Sequence, residues 1–188
     1  MSRYEQVGVT MLNQLQMQAN YGQYASQEDP ARVAISMYYG ARARAWANKL
    51  ASTVSGGSRR LLRLAEIAAG SAVRASHYAG IREVPLDLIR GSEGRVGGFD
   101  AEMWPTDGQG RDRWVSVAAA RQGGVQLPPV ELIQVGNAYF VRDGHHRISV
   151  ARALGQAYID ARVTVWEVSS LADRKSTSSA SELAPQLA

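Results

Sequence analysis

The chain has 188 residues, 45% of them apolar, with a formal net charge of +4. That size and composition suit one compact domain with extra elements, or a small helical unit joined to a small mixed one. The absence of cysteine excludes disulfides, thiolate metal sites and thiol catalysis. No apolar run reaches the ~18–20 residues of a membrane helix, and the first residues lack a signal peptide's apolar stretch. These features predict a cytoplasmic protein with no membrane partner.

Residues 1–28, rich in Gln, Asn, Met and Tyr, read as a flexible arm with some helix around 10–19. Asp29-Pro30 is a helix start, with Asp as N-cap and Pro at the first helical position. A long helix is predicted from there to about residue 52 through Val33, Met37, Ala41, Ala45 and Leu50, and Ser55-Gly56-Gly57 ends it. A second helix follows from Ser58 through Leu61, Leu62, Leu64, Ala65 and Ala68 to Gly70, then a short helical stretch over 71–78. Residues 29–80 thus form a predicted helical segment, and its charge is one-sided. Arg32, Arg42, Arg44, Lys49, Arg59, Arg60, Arg63, Arg74 and Arg82 face a single acid, Glu66. Such a segment suits a nucleic acid or an acidic partner. Tyr38, Tyr39 and Trp46 could instead bury against a second copy in a homo-oligomer.

The character changes at Ile81, where a mixed α+β unit over 81–168 is predicted. A strand over 81–85 is stopped by Pro85, and a turn follows over 86–89. Residues 90–110, with many Gly and acidic positions and Trp104-Pro105, read as a long loop of the kind that is often functional. A helix over 111–121 carries Val115, Ala118 and Ala119 on one side and ends at Gly123-Gly124. Pro128-Pro129 introduces a strand over 130–135, and Gly136-Asn137 turns it into a second, over 138–141. A turn over 143–147 then leads into a helix over 147–154, stopped by Gly155. A last strand spans 161–166, and from 169 to 188 a disordered tail is predicted.

The turn Asp143-Gly144-His145-His146-Arg147 carries the chemistry. A strand running into a glycine turn and then a helix sets free N–H groups and the positive end of a helix dipole at one point. Gly144 permits close backbone approach, and His145, His146 and Arg147 add donors for an anion. Adjacent histidines do not normally present both rings to one ion, and with no cysteine to complete a set, no metal centre is predicted.

Val84-Pro-Leu-Asp-Leu-Ile-Arg90, followed by the hairpin and Asp143-Gly-His-His-Arg-Ile-Ser-Val-Ala-Arg-Ala-Leu-Gly155, resembles the ParB/sulfiredoxin superfamily over roughly residues 81–166. ParB proteins carry Gly-Glu-Arg-Arg at this turn and sulfiredoxins Gly-Cys-His-Arg, whereas free-serine kinases carry turns closer to the one here. The resemblance implies a ParB/sulfiredoxin-like small mixed sheet with helices, and a turn that binds nucleotide phosphates. Gly144, His145, His146 and Arg147 would hold ATP, ADP or CTP, with Mg²⁺. His145 stands where sulfiredoxin has its cysteine, which removes sulfinic acid reduction. The kinase branch uses an acid in the loop after the first strand to activate a hydroxyl, which makes Glu93 the candidate base. Asp143 would hold Mg²⁺ or the acceptor, His145 would join the catalytic set, and Arg90 and Arg95 would contact substrate phosphate. The function expected is a nucleotide-binding phosphotransferase or nucleotide hydrolase. The alternative is a non-enzymatic, DNA-associated ParB-like module using the basic helical segment.

Overall fold

A computed structural model describes residues 29–55, 61–69, 71–94 and 97–170. The predicted arm over 1–28, Arg95 and the predicted tail from 171 onward lie outside the described residues, whereas its first two residues, Ser169 and Ser170, end the last strand. Helix α1 spans Pro30–Ser55, and Asp29 Oδ1 accepts from the Ala31 N–H at 3.0 Å, as the Asp-Pro start predicts. Strand β1 (Leu62–Arg63) and the short helix α2 (Leu64–Ala68) follow, where the sequence suggested one continuous helix.

The largest departure comes next. Residues 71–78 are not helical: they begin β2 (Ser71–Pro85), a long strand that runs through position 81 and pairs antiparallel with β6 (Tyr158–Ser170). Ala72, Ala75, Ala79 and the serines give weak local direction, and the ladder offered by β6 decides the outcome. Residues 89–92 also differ from expectation. Ile89–Ser92 form β3 after a 3₁₀ turn over Leu86–Leu88, so the predicted loop begins only at Glu93. The remaining elements are α3 (Arg111–Gln122), β4 (Val130–Val135), β5 (Ala138–Asp143) and α4 (His145–Ala153). Helix α4 starts two residues earlier than predicted, because Gly144 takes the N-cap position with φ +104°.

The fold is α+β, with one six-stranded mixed sheet in the order β1-β3-β5-β4-β6-β2. Strands β3 and β5 are parallel, β4 and β5 form the predicted hairpin, and β4 and β6 are parallel. Helix α1 packs on α3, α3 on α4, and α4 on β6. One face of the sheet supplies Val84, Leu132, Val141 and Val163 to a core shared with Ile148, Trp114, Tyr38 and Met103, all at most 1% exposed. Alternation sends Ile133 and Phe140 to the opposite face, where they meet Leu64. No described helix is long and apolar enough to cross a membrane.

Candidate functional site at the start of helix α4

Strand β5, paired on both sides, ends at Asp143, and Gly144 reverses the chain into α4. The glycine is required twice over. Its φ of +104° is left-handed, and a Cβ there would lie 2.5 Å from Val130 Cγ1. In front of this turn opens a cleft of about 740 Å³ lined by Glu93, Gly94, Arg113, Val117, Leu127, Pro128 and the stretch Arg142–Arg147. Three guanidinium groups and two imidazoles meet two carboxylates there, beside the positive end of α4.

His145 is buried against the sheet. Its Nε2 lies 2.9 Å from Ser92 Oγ, and the serine hydroxyl donates to the Val141 carbonyl at 3.1 Å. The serine thus bridges the ring to the strand, with donor and acceptor between Oγ and Nε2 set by the imidazole tautomer. Phe99 stacks on the His145 ring at 5.9 Å and meets His146 edge-on at 5.3 Å. The His146 ring lies over Gly110, the N-cap residue of α3, where an added Cβ would stand 2.8 Å from Cε1. The loop between β3 and α3 is therefore held against the turn. Asp100 Oδ1 accepts from the N–H groups of Glu102 and Trp104, each at 2.9 Å, and shapes it internally.

Arg147 is mostly buried, with its side chain 17% exposed. Its Nη1 donates to the carbonyls of Pro128 at 2.6 Å and Pro129 at 2.9 Å, and its Nη2 donates to Asp143 Oδ2 at 2.5 Å. It thus fastens the segment entering β4 to the turn. It also stands, with Leu127 and Pro128, between the cleft and a neighbouring cavity of about 450 Å³. Glu93 forms a bidentate pair with Arg142, at 2.8 Å to Nε and 3.1 Å to Nη2. The hydrogen bond to Glu93 raises the Arg142 pKa against the smaller opposing effect of burial.

Of the residues singled out in the sequence, Glu93, Asp143, Gly144, His145, His146 and Arg147 meet in this cleft. Arg90 does not line it. That residue lies near Arg152, whose pKa is lowered first by burial and also by the nearby Arg90 charge, two helical turns from His145. Ser92, Phe99, Arg113 and Arg142 escaped sequence reasoning. Arg142 was next to the motif and could have been found from strand alternation; Ser92, Phe99 and Arg113 reach it only through the tertiary fold. Among the described cations of the 32–82 stretch, Arg32, Arg42, Arg44 and Lys49 stand on α1, Arg63 on β1, and Arg74 and Arg82 on β2.

Neither a family model nor a curated protein matches the chain. Among solved structures, sulfiredoxin from Arabidopsis thaliana is similar, with 26% sequence identity over 44% of this chain and 82% of that one. Its TM-score is 0.31. The chemistry of the cleft stands on its own geometry.

Proposed function

We propose that the cleft binds the phosphate groups of a nucleoside di- or triphosphate, and that the protein is a small phosphotransferase or nucleotide hydrolase. The observation that carries this is the convergence of Arg113, Arg142, Arg147, His145 and His146 on one open cleft at the start of α4. Phosphoryl transfer requires positive charge on the transferring oxygens and a carboxylate near the acceptor. Arg113 and Arg142 are the side chains suited to the first role, since Arg147 already serves three protein acceptors. Glu93 is suited to the second, and Arg142 can exchange its carboxylate for a phosphate oxygen, which releases the base. Asp143, 60% exposed at the cleft, would hold Mg²⁺ together with the ligand's own oxygens. The ion would neutralise developing charge on the transferred group.

The test is calorimetric titration of the protein with pyrophosphate and with ATP, ADP, CTP and GTP, with and without Mg²⁺. Arg113→Ala and Arg142→Ala should each weaken binding by about tenfold or more, the worth of a charge-assisted bond. Glu93→Gln should leave affinity nearly intact and abolish turnover. No binding by any of these ligands would sink the reading. The alternative, a non-enzymatic DNA-associated module using the basic 32–82 stretch, would draw on Arg32, Arg42, Arg44 and Lys49 of α1, Arg63 of β1 and Arg74 and Arg82 of β2, and a mobility-shift titration with duplex DNA, in which retardation fades steeply with salt, tests it.

A further inference from the structure

Helix α1 presents a second face that the cleft does not use. Its buried side is Ala34, Tyr38, Ala41 and Ala45, which pack into the core. Next to that side runs a line of Ile35, Tyr39, Arg42, Trp46 and Lys49, spaced alternately four and three residues apart. That is the spacing of a coiled-coil seam. Ile35 is 36% exposed, Tyr39 58% and Trp46 68%, and Leu50 extends the apolar line at 53%. Solitary exposed apolar residues are ordinary, but an aromatic and aliphatic line along one helix is not. The 26 residues of α1 contain no Asp or Glu. Arg42 and Lys49 have no ion-pair partner among the described residues.

We infer that this face docks an acidic amphipathic helix of a partner protein, with apolar side chains against Ile35, Tyr39 and Trp46 and carboxylates against Arg42 and Lys49. The charge selects the occupant. A second copy of α1 in the same register would set cation against cation. A bilayer favours an unbroken apolar sector, and here guanidinium and ammonium groups alternate within the line. Nucleic acid would use the cations and the aromatic rings but would leave Ile35 and Leu50 in water. A facing helix with carboxylates at the two matching seam positions satisfies every group in the line.

The experiment titrates the full chain with a synthetic amphipathic peptide of about four heptads, with leucine at its seam positions except for glutamate at the two that face Arg42 and Lys49, and with the same peptide carrying lysine for glutamate. Tryptophan emission and calorimetry are followed together, and Trp46→Phe identifies the signal from α1. The expected result is a blue shift with the glutamate peptide and binding at least about tenfold weaker with the lysine peptide. Lys49 is exposed and Arg42 half-buried, and the double substitution Arg42→Glu with Lys49→Glu should reverse that preference while the helix content seen by circular dichroism is retained. Equal binding of the two peptides, or no binding of the glutamate peptide, overturns the inference. So does a Trp46 shift produced only by phosphatidylglycerol-containing vesicles or by duplex DNA. A wild-type dimer that Trp46→Asp dissociates overturns it as well, because the occupant would then be a second copy.

Discussion

At the scale of single residues, the turn is defined by groups that have no substitute. Gly144 combines a left-handed backbone with a Cβ position already filled by Val130. Gly144→Ala should therefore cost about 2 kcal/mol or more in urea unfolding, from the left-handed penalty and overpacking together. Ser92 has the opposite character, a small polar side chain that is fully buried and bridges His145 to Val141. Ser92→Ala removes the partner of a buried imidazole nitrogen and should destabilise by about 1–2 kcal/mol, read by the same method. A loss below a few tenths of a kcal/mol would mean that the bridge holds nothing in place. Arg147 has a double character: three of its five N–H donors serve Pro128, Pro129 and Asp143, and the side chain still lines the cleft. Its replacement would alter affinity by loosening the wall of the cleft, which is why Arg113 and Arg142 are the cleaner probes.

At the scale of elements, the helix that precedes the mixed unit is part of its core. Tyr38 is 1% exposed, stacks edge-on against Trp114 at 5.5 Å, and donates its hydroxyl to the Asp107 carbonyl at 2.9 Å. Trp114 in turn donates Nε1–H to Ser149 of α4 at 2.8 Å. One line of contact thus runs from α1 through α3 to the helix that opens at the cleft. Tyr38→Ala should cost about 3–5 kcal/mol, the range for a large buried aromatic, with a lower midpoint in thermal unfolding. A near-neutral result would mean that α1 is a detachable appendage. The elements read from the sequence with least error were those with punctuation at both ends. The Asp-Pro start of α1, the Gly pair after α3 and the Gly-Asn hairpin turn fell where expected. Strand β3 was missed because its four residues include Arg90 and Gly91, which carry no strand signature. Gly91 is there because the Phe140 ring leaves no room for a side chain.

At the scale of the whole molecule, the sheet order places β3 and β5 side by side and parallel, although 45 residues separate Ser92 from Ala138. That adjacency brings Glu93, at the end of one strand, beside Arg142, near the end of the other. A ligand that binds this cleft only in the folded state must stabilise the entire domain. Pyrophosphate or nucleotide at a hundred times its dissociation constant should add about 2.7 kcal/mol to unfolding and raise the thermal midpoint. The shift should shrink as salt rises, because the attraction is between exposed charges. A midpoint indifferent to every phosphate ligand would leave the cleft without a ligand of this class.

The order of residues alone determined the glycine turn, its histidines and arginine, the hairpin before it and the helix after it. These follow from neighbours within a few positions, where backbone conformation and capping are local matters. Only the tertiary structure decided that 71–78 would be a strand, that Arg147 would hold the chain as well as line the cleft, and that Ser92, Phe99 and Arg113 would gather at the turn. Those outcomes depend on which surfaces are brought together across tens of residues. Weak local preferences yield there to the backbone pairing and burial that a distant segment supplies.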